Sequence, residues 1–296
     1  MNQSVDPKIV VGIGEVLWDM LPTGKMLGGA PANCAYHANA LGAQGVVVSA
    51  VGEDDLGREI LAVLGDKGLK TDYVQVLESR DTGTVTVALG DDGQPAYTIH
   101  EAVAWDHVAL TPELLSLAKS ADAVCFGSLA QRSVTTRETI RAFLRATRPE
   151  CLRVFDINIR QEHLDKDLLR ESLGMATVLK LNDEELPYLA QVFDLSGTVM
   201  EQLVQLRDDF QLDLIAYTRG AQGSLLLDGS DVVDTPGGEA FEITDTIGAG
   251  DAFTAALILS RLEGKDVQAT AKRAHDLASF VCTQSGGMPL YDRNYA

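Results

Sequence analysis

The sequence predicts an α/β protein built on a doubly wound, mainly parallel sheet with a small β appendage. Three observations carry this reading. Short β-branched runs alternate with helical apolar patterns along most of the chain. The 296 residues are 46% hydrophobic, enough for a large buried core. Two segments break the alternation with turn-centred patterns of their own.

In chain order, Ile9 to Ile13 reads as a strand buried on both faces. Ala30 to Leu41 reads as a helix of small residues, with Pro31 in its first turn and Gly42 as its stop. Gly45 to Val51 returns to a β run, and Leu56 to Leu64 is helical up to Gly65. Ala123 to Phe126, Val154 to Ile157, Thr177 to Leu181 and Leu214 to Thr218 are further strands. Helical patterns fill 112–119, 134–147, 166–174, 183–193 and 198–210. The two exceptions are Trp18 to Leu27, around Pro22, Thr23 and Gly24, and Thr82 to His100, which reads as a hairpin turning at Asp91, Asp92 and Gly93. One domain over 1–296 is expected, with a discontinuous β lid near 16–27 and 82–104.

The charge excludes several partners. Forty-three acidic against 24 basic residues, a formal net charge of −19, leave no basic face for nucleic acid or anionic membrane. No apolar run is long enough to span a bilayer. Met1 to Lys8 shows no signal-peptide pattern, and a cytoplasmic location is expected. Cys34, Cys125, Cys151 and Cys282 are scattered and read as buried small hydrophobes rather than ligands or disulfide partners.

Common motifs fail. Neither Gly24-Lys25 nor Gly264-Lys265 sits in a P-loop. Leu17 and Phe253 stand where a dinucleotide-binding fingerprint needs its third glycine. The five histidines form no H-E-x-x-H, and no serine sits in a G-x-S-x-G elbow.

One segment offers chemistry. Asp245-Thr246-Ile247-Gly248-Ala249-Gly250-Asp251 is a glycine-bearing turn that feeds the apolar helix Ala252 to Leu262. Free N–H groups and the positive helix end make such a turn an anion site. Asp251 in the first turn either complements the helix dipole or takes a proton from a hydroxyl attacking a bound phosphate.

This run resembles the D-T-x-G-A-G-D signature of the ribokinase/fructokinase (PfkB-type) carbohydrate kinases. Gly28-Gly29-Ala30-Pro31-Ala32-Asn33 is similar to the family's G-G-x-x-x-N, and Gly52-Glu53-Asp54-Asp55-Leu56-Gly57 to its G-x-D-x-x-G. Asn182-Asp183-Glu184-Glu185 resembles N-x-x-E, and Thr218-Arg219-Gly220-Ala221-Gln222-Gly223 resembles T-x-G-x-x-G. The matches occur in family order over nearly the whole chain and look most like fructokinases.

The resemblance implies a ribokinase-like fold: a mostly parallel central sheet flanked by helices, with a small β-sheet lid over the sugar. It implies Asp251 as catalytic base, with Gly248, Ala249 and Gly250 as the anion hole. Asn182 and Glu185 match the Mg²⁺ and phosphate element, Glu185 reaching the metal through water; read alone, they form a helix cap and capping box. Thr218, Gly220 and Gly223 would face ATP, and His275 would lie near the adenine or be a surface helix histidine. Asp19, Gly28, Gly29 and Asn33 would bind sugar, although Asn33 could also be a helix-packing hydrogen bond. Asp156-Ile157-Asn158-Ile159-Arg160 resembles a D-x-N-x-R element, with Arg160 facing a phosphate or substrate carboxylate or pairing on the surface. Asp245, Ile247 and Gly286 lie where some members bind a monovalent cation such as K⁺. ATP and Mg²⁺ are the implied cofactors, and a homodimer through the lid is expected.

The expected activity is transfer of the γ-phosphoryl group of ATP to a sugar, fructose first. Ribose, a nucleoside or 2-keto-3-deoxygluconate are alternative acceptors, and a non-catalytic sugar sensor is the alternative of another class.

Overall fold

The β-branched run Ile9–Ile13 forms β1, and both of its edges are paired in parallel. Such a central position explains its continuous apolar sequence. In the computed structural model, which describes residues 6–22, 24–89, 95–160, 165–237 and 243–291, the chain continues as follows. Strands β2 (Leu17–Leu21) and β3 (Gly24–Gly28) lead to helix α1 (Ala30–Ala40), β4 (Gln44–Gly52), α2 (Asp55–Asp66) and β5 (Val74–Leu77). Then come β6 (Thr84–Leu89), β7 (Pro95–Ile99), α3 (Pro112–Ser120), β8 (Ala123–Phe126), α4 (Val134–Ala146) and β9 (Leu152–Asp156). The second half holds α5 (Lys166–Met175), β10 (Val178–Asn182), α6 (Glu185–Phe193), α7 (Val199–Phe210) and β11 (Leu214–Thr218). It closes with β12 (Gly223–Asp228), β13 (Asp231–Pro236), α8 (Ala249–Leu262) and α9 (Val267–Cys282).

The main sheet has the order β13-β12-β11-β10-β9-β8-β1-β4-β5. It is parallel from β5 to β11, and β12 and β13 add antiparallel strands at one edge. Alternate residues of each strand feed opposite layers. Val11 and Ile13 pack with the apolar residues of α3 to α7, whereas Val10 packs with those of α1, α8 and α9. Helices therefore cover both faces, as the alternation predicts. Helix α1 can lie close to the sheet because Gly12 has no side chain: a Cβ there would run into the Pro31 carbonyl.

The smaller sheet has the order β3-β2-β6-β7. It joins the two segments that break the alternation. Thr82 to His100 pairs as the expected hairpin and Trp18 to Leu27 forms a second one, but the sheet is not wholly antiparallel as expected: β2 and β6 pair in parallel, Trp18 opposite Thr84 and Met20 opposite Thr86. The geometry has a simple cause. Both hairpins leave the carboxyl ends of parallel main-sheet strands, so their first strands travel outward together. Thr23 and the turn at Asp91 to Gly93 lie outside the described residues.

The G-x-D-x-x-G element has a clear structural task. Asp54 caps α2 through the Gly57 amide, 2.7 Å away. The same carboxylate accepts from the Thr82 amide at 2.8 Å and the Thr82 hydroxyl at 2.6 Å. A Cβ on Gly52 would approach the Thr82 amide to 2.8 Å, and one on Gly57 the Thr82 hydroxyl to 2.8 Å. The motif thus ties the chain entering β6 to the main body.

Strands β5, β12 and β13 and helix α9 are elements the sequence patterns do not single out. Strand β13 is a mostly exposed edge carrying Asp231 and Asp234, so it lacks an apolar period. The cysteines are free; Cys34, Cys125 and Cys151 are buried as expected, and Cys282 is half-buried.

Candidate active site

A cleft of about 1220 Å³ opens at the carboxyl ends of the main-sheet strands. This is where open α/β sheets place ligands. A shallower depression of about 620 Å³ lies around the opposite strand ends, near Val178 and Leu214.

Helix α8 points its N-terminus into the middle of the cleft. Gly248 caps it in the left-handed region, with φ 77°, and a Cβ there would lie 2.6 Å from the Gly287 Cα. Only glycine fits this turn without strain. The first amides of a helix lack intrahelical partners. Of the three expected at the anion hole, however, the Ala249 N–H already donates to the Thr246 carbonyl at 3.3 Å, because the turn closes on itself.

Asp251 sits in the first turn of the helix and lines the cleft. Its Oδ2 accepts from Asn33 Nδ2 at 2.8 Å. Burial pushes its carboxyl up to about 6, with the charge of Asp156 adding to the rise and Asn33, Lys180 and Arg160 opposing it. Asn33, expected at the sugar, lines the same wall and orients this carboxylate.

On one side of α8 the cleft is walled by Asp19, Gly28, Gly29 and Arg160. Asp19 lies on β2, and a Cβ on Gly28 would approach its Oδ2 to 2.6 Å, so glycine keeps that carboxylate accessible. Burial raises Asp19 to about 6 against the opposing charge of Arg160. Arg160 is exposed, and its charge also lowers Asp251 and Glu15. Glu15 is a residue the sequence patterns miss. It follows β1, is 2% exposed, and accepts from the Ala30 amide at 3.3 Å. Burial raises it to about 7.

On the other side, Asn182, Thr218, Gly220, Gly223 and His275 line the wall. Thr218 ends β11 and donates its hydroxyl to the Leu181 carbonyl at 3.3 Å. Gly223 is needed for pairing as well, since a Cβ would strike the Thr235 carbonyl. Asn182 Oδ1 accepts from the amides of Glu184 and Glu185, at 3.0 and 2.8 Å. Glu185 answers by accepting from the Asn182 amide at 2.8 Å and the Ile159 amide at 3.0 Å. The capping-box reading of this pair is therefore realised in the structure. Asp245 likewise accepts from the Ile247 amide at 2.9 Å and the Gly286 amide at 3.0 Å, which brings all three cation candidates together.

Comparison with known proteins identifies the family. The model of the pfkB family carbohydrate kinases matches residues 20–293. The chain belongs to the pfkB family of carbohydrate kinases. A fructokinase of Salmonella typhimurium is 31% identical over 260 residues, covering 84% of this chain and 82% of its own. A sugar kinase of Pyrococcus horikoshii, solved with ATP, superposes with a TM-score of 0.79 at 27% identity, covering 95% and 94%. The fructokinase of Vibrio cholerae O395, solved with fructose, ADP and calcium, gives 0.80 at 27% identity with the same coverages. A double mutant of it was solved with fructose, ADP and potassium.

The protein is accordingly a kinase acting on a carbohydrate, and the sugar-sensor alternative falls away. Its donor set suits a metal that arrives with phosphates. Among the described residues no cluster of three or more His, Cys, Asp or Glu side chains could hold a metal ion. Mg²⁺ commonly uses one or two carboxylates, waters and substrate phosphates instead. Glu185 is buried, has both oxygens committed to amides and does not line the cleft, so it would reach a metal there only through water, whereas exposed Asp183 and Glu184 stand on the cleft wall beside it. No helix among the described residues is long and apolar enough to cross a membrane.

Proposed function

We propose that this kinase transfers the γ-phosphoryl group of ATP to a hydroxyl of fructose. The observation that carries the reading is the position of Asp251. It stands at the N-terminus of α8, between a wall of carboxylates and Arg160 on one side and the Thr218–His275 wall on the other. An acceptor hydroxyl and a donor phosphate on these two sides would meet at Asp251. The hydroxyl oxygen forms a bond to the γ-phosphorus as the bond to the β,γ-bridging oxygen breaks; ADP leaves, and the hydroxyl proton passes to Asp251. Asn33 holds the carboxylate in place, and the free amides of the α8 turn face the phosphoryl charge. Mg²⁺, held by phosphate oxygens and by water bridged to Glu185, would supply further charge neutralisation. K⁺ near Asp245, Ile247 and Gly286 would stabilise the turn. Fructose is favoured by fructokinase relatives at about 30% identity. Arg160 also suits the carboxylate of 2-keto-3-deoxygluconate, which makes that acid the main rival.

A coupled assay of ADP release over fructose, ribose, adenosine and 2-keto-3-deoxygluconate tests the assignment. Fructose should show the highest kcat/KM; a higher value for any of the others refutes the substrate. The smaller sheet would act as the lid, and Met20, exposed on β2, would contribute to a dimer contact through it. Sedimentation as a strict monomer at micromolar concentration would exclude that dimer.

A further inference from the structure

The side of the sheet beneath α8 is apolar along its strands, with Val154, Val178, Leu214 and Ala216 in one cluster. Two charged residues interrupt it. Lys180 on β10 pairs in register with Asp156 on β9 and Ala216 on β11. Lys180 and Asp156 are 7% and 3% exposed. Lys180 Nζ donates to Asp156 Oδ1 at 3.0 Å. The other oxygen of Asp156 lies 3.0 Å from the Thr254 hydroxyl on α8, whose single proton it shares with the Gly250 carbonyl, also at 3.0 Å.

A buried ion pair is a costly replacement for two apolar side chains. Here the cost has a beneficiary. Lys180 lines the cleft, and its Nζ lies 3.2 Å from where a Cβ on Gly250 would stand. The absent Cβ leaves the ammonium beside the very turn that offers its amides to an anion. An ammonium carries three N–H donors. Among the described residues, Asp156 alone accepts from it. Burial by itself would lower its pKa, but the carboxylates of Asp156, Glu185 and Asp251 outweigh burial and hold it above the ordinary value. Its ammonium stands at the base of the cleft.

We propose that Lys180 is a catalytic residue that donates to an oxygen of the γ-phosphoryl group during transfer, and that Asp156 and Thr254 are positioning residues that aim it. This rests on the kinase reaction but not on the choice of fructose. Asp156 fixes the ammonium from below, while Thr254 ties that carboxylate to α8, so the cation and the helix amides keep a constant spacing. Positive charge set in advance where phosphoryl charge develops lowers the barrier without reorganisation.

The test uses the full-length protein with Lys180→Met, Lys180→Arg and the double variant Asp156→Asn/Lys180→Met. Removing both members of the pair avoids an uncompensated buried carboxylate, so the double variant covers a failure of the single one to fold. Calorimetry measures binding of ADP and of the β,γ-imido analogue of ATP, which needs no sugar. Lys180→Met and the double variant should lose about tenfold in affinity for the imido analogue relative to ADP, and about 10²-fold in kcat at its pH plateau, with KM for sugar nearly unchanged. Lys180→Arg should recover part of both. A folded variant within about threefold of wild type in plateau kcat and in the imido-to-ADP ratio, with only the acid limb displaced, would overturn the proposal. Lys180 would then merely tune Asp251. A wild-type enzyme inactive on fructose would refute the substrate instead, and the nucleotide measurements would still decide Lys180.

Discussion

Replacing Asp251 by asparagine separates catalysis from stability. The amide oxygen can still accept from Asn33 Nδ2, which now donates to Oδ2 at 2.8 Å, so local geometry should hold. The proton acceptor is lost, and removal of a positioned general base costs about 10²–10⁴ in rate. Stability should move the other way. In the folded protein the carboxyl is raised from 3.8 to about 6, chiefly by burial. A group whose folded pKa is raised destabilises the fold once it must ionise. The cost is absent below pH 4, grows between pH 4 and 6, and is complete above pH 6. Such a shift corresponds to roughly 3 kcal/mol, and solvent in the cleft reduces it to about 1–2 kcal/mol. The variant should therefore be more stable than wild type at pH 8, with the gain vanishing near pH 3.5. Turnover by ADP release and urea unfolding at the two pH values provide the measurement. Retention of more than about a tenth of wild-type turnover would refute the base assignment. A stability change that does not depend on pH would refute the electrostatic account of Asp251.

Other outcomes follow from the same geometry. The rate should fall as pH drops through about 6, because Asp251 must be ionised to accept a proton; Asp19 and Glu15, raised to about 6 and about 7, broaden this limb, so its apparent pKa belongs to the group. Asp54→Ala removes three hydrogen bonds and should cost about 2–3 kcal/mol in urea unfolding. Burial would raise the Asp54 carboxyl, but the bonds from Thr82 and Gly57 hold it below its ordinary value. The part of the stabilisation that depends on its charge is therefore complete above the unfolded pKa and lost as pH falls through the folded one, and the effect of Asp54→Ala should shrink in acid. Gly248→Ala puts a Cβ 2.6 Å from the Gly287 Cα in a left-handed residue, which should cost about 1–3 kcal/mol and at least about tenfold in kcat. Wild-type kcat in that variant would show that the turn tolerates displacement.

The sequence by itself determined the elements whose cause is local. The apolar period of Ile9 to Ile13, the small residues and Pro31 of α1, and the glycine turn before α8 each declare their structure within a dozen residues. The motif around Asp251 also exposed the family and the centre of the site. The tertiary structure decided what depends on register between distant segments. Lys180 reads as one polar residue in an apolar strand until β9 and β10 pair and bring Asp156 to 3.0 Å. Glu15 has no motif of its own, and only the packing of α1 over the end of β1 buries it. Strands β2 and β6 pair across more than sixty residues of chain, in a direction set by the main-sheet strands they follow. Helix caps and turns are short-range hydrogen bonds that neighbouring residues can specify. A buried charge needs its partner, and here the partner is supplied by the fold.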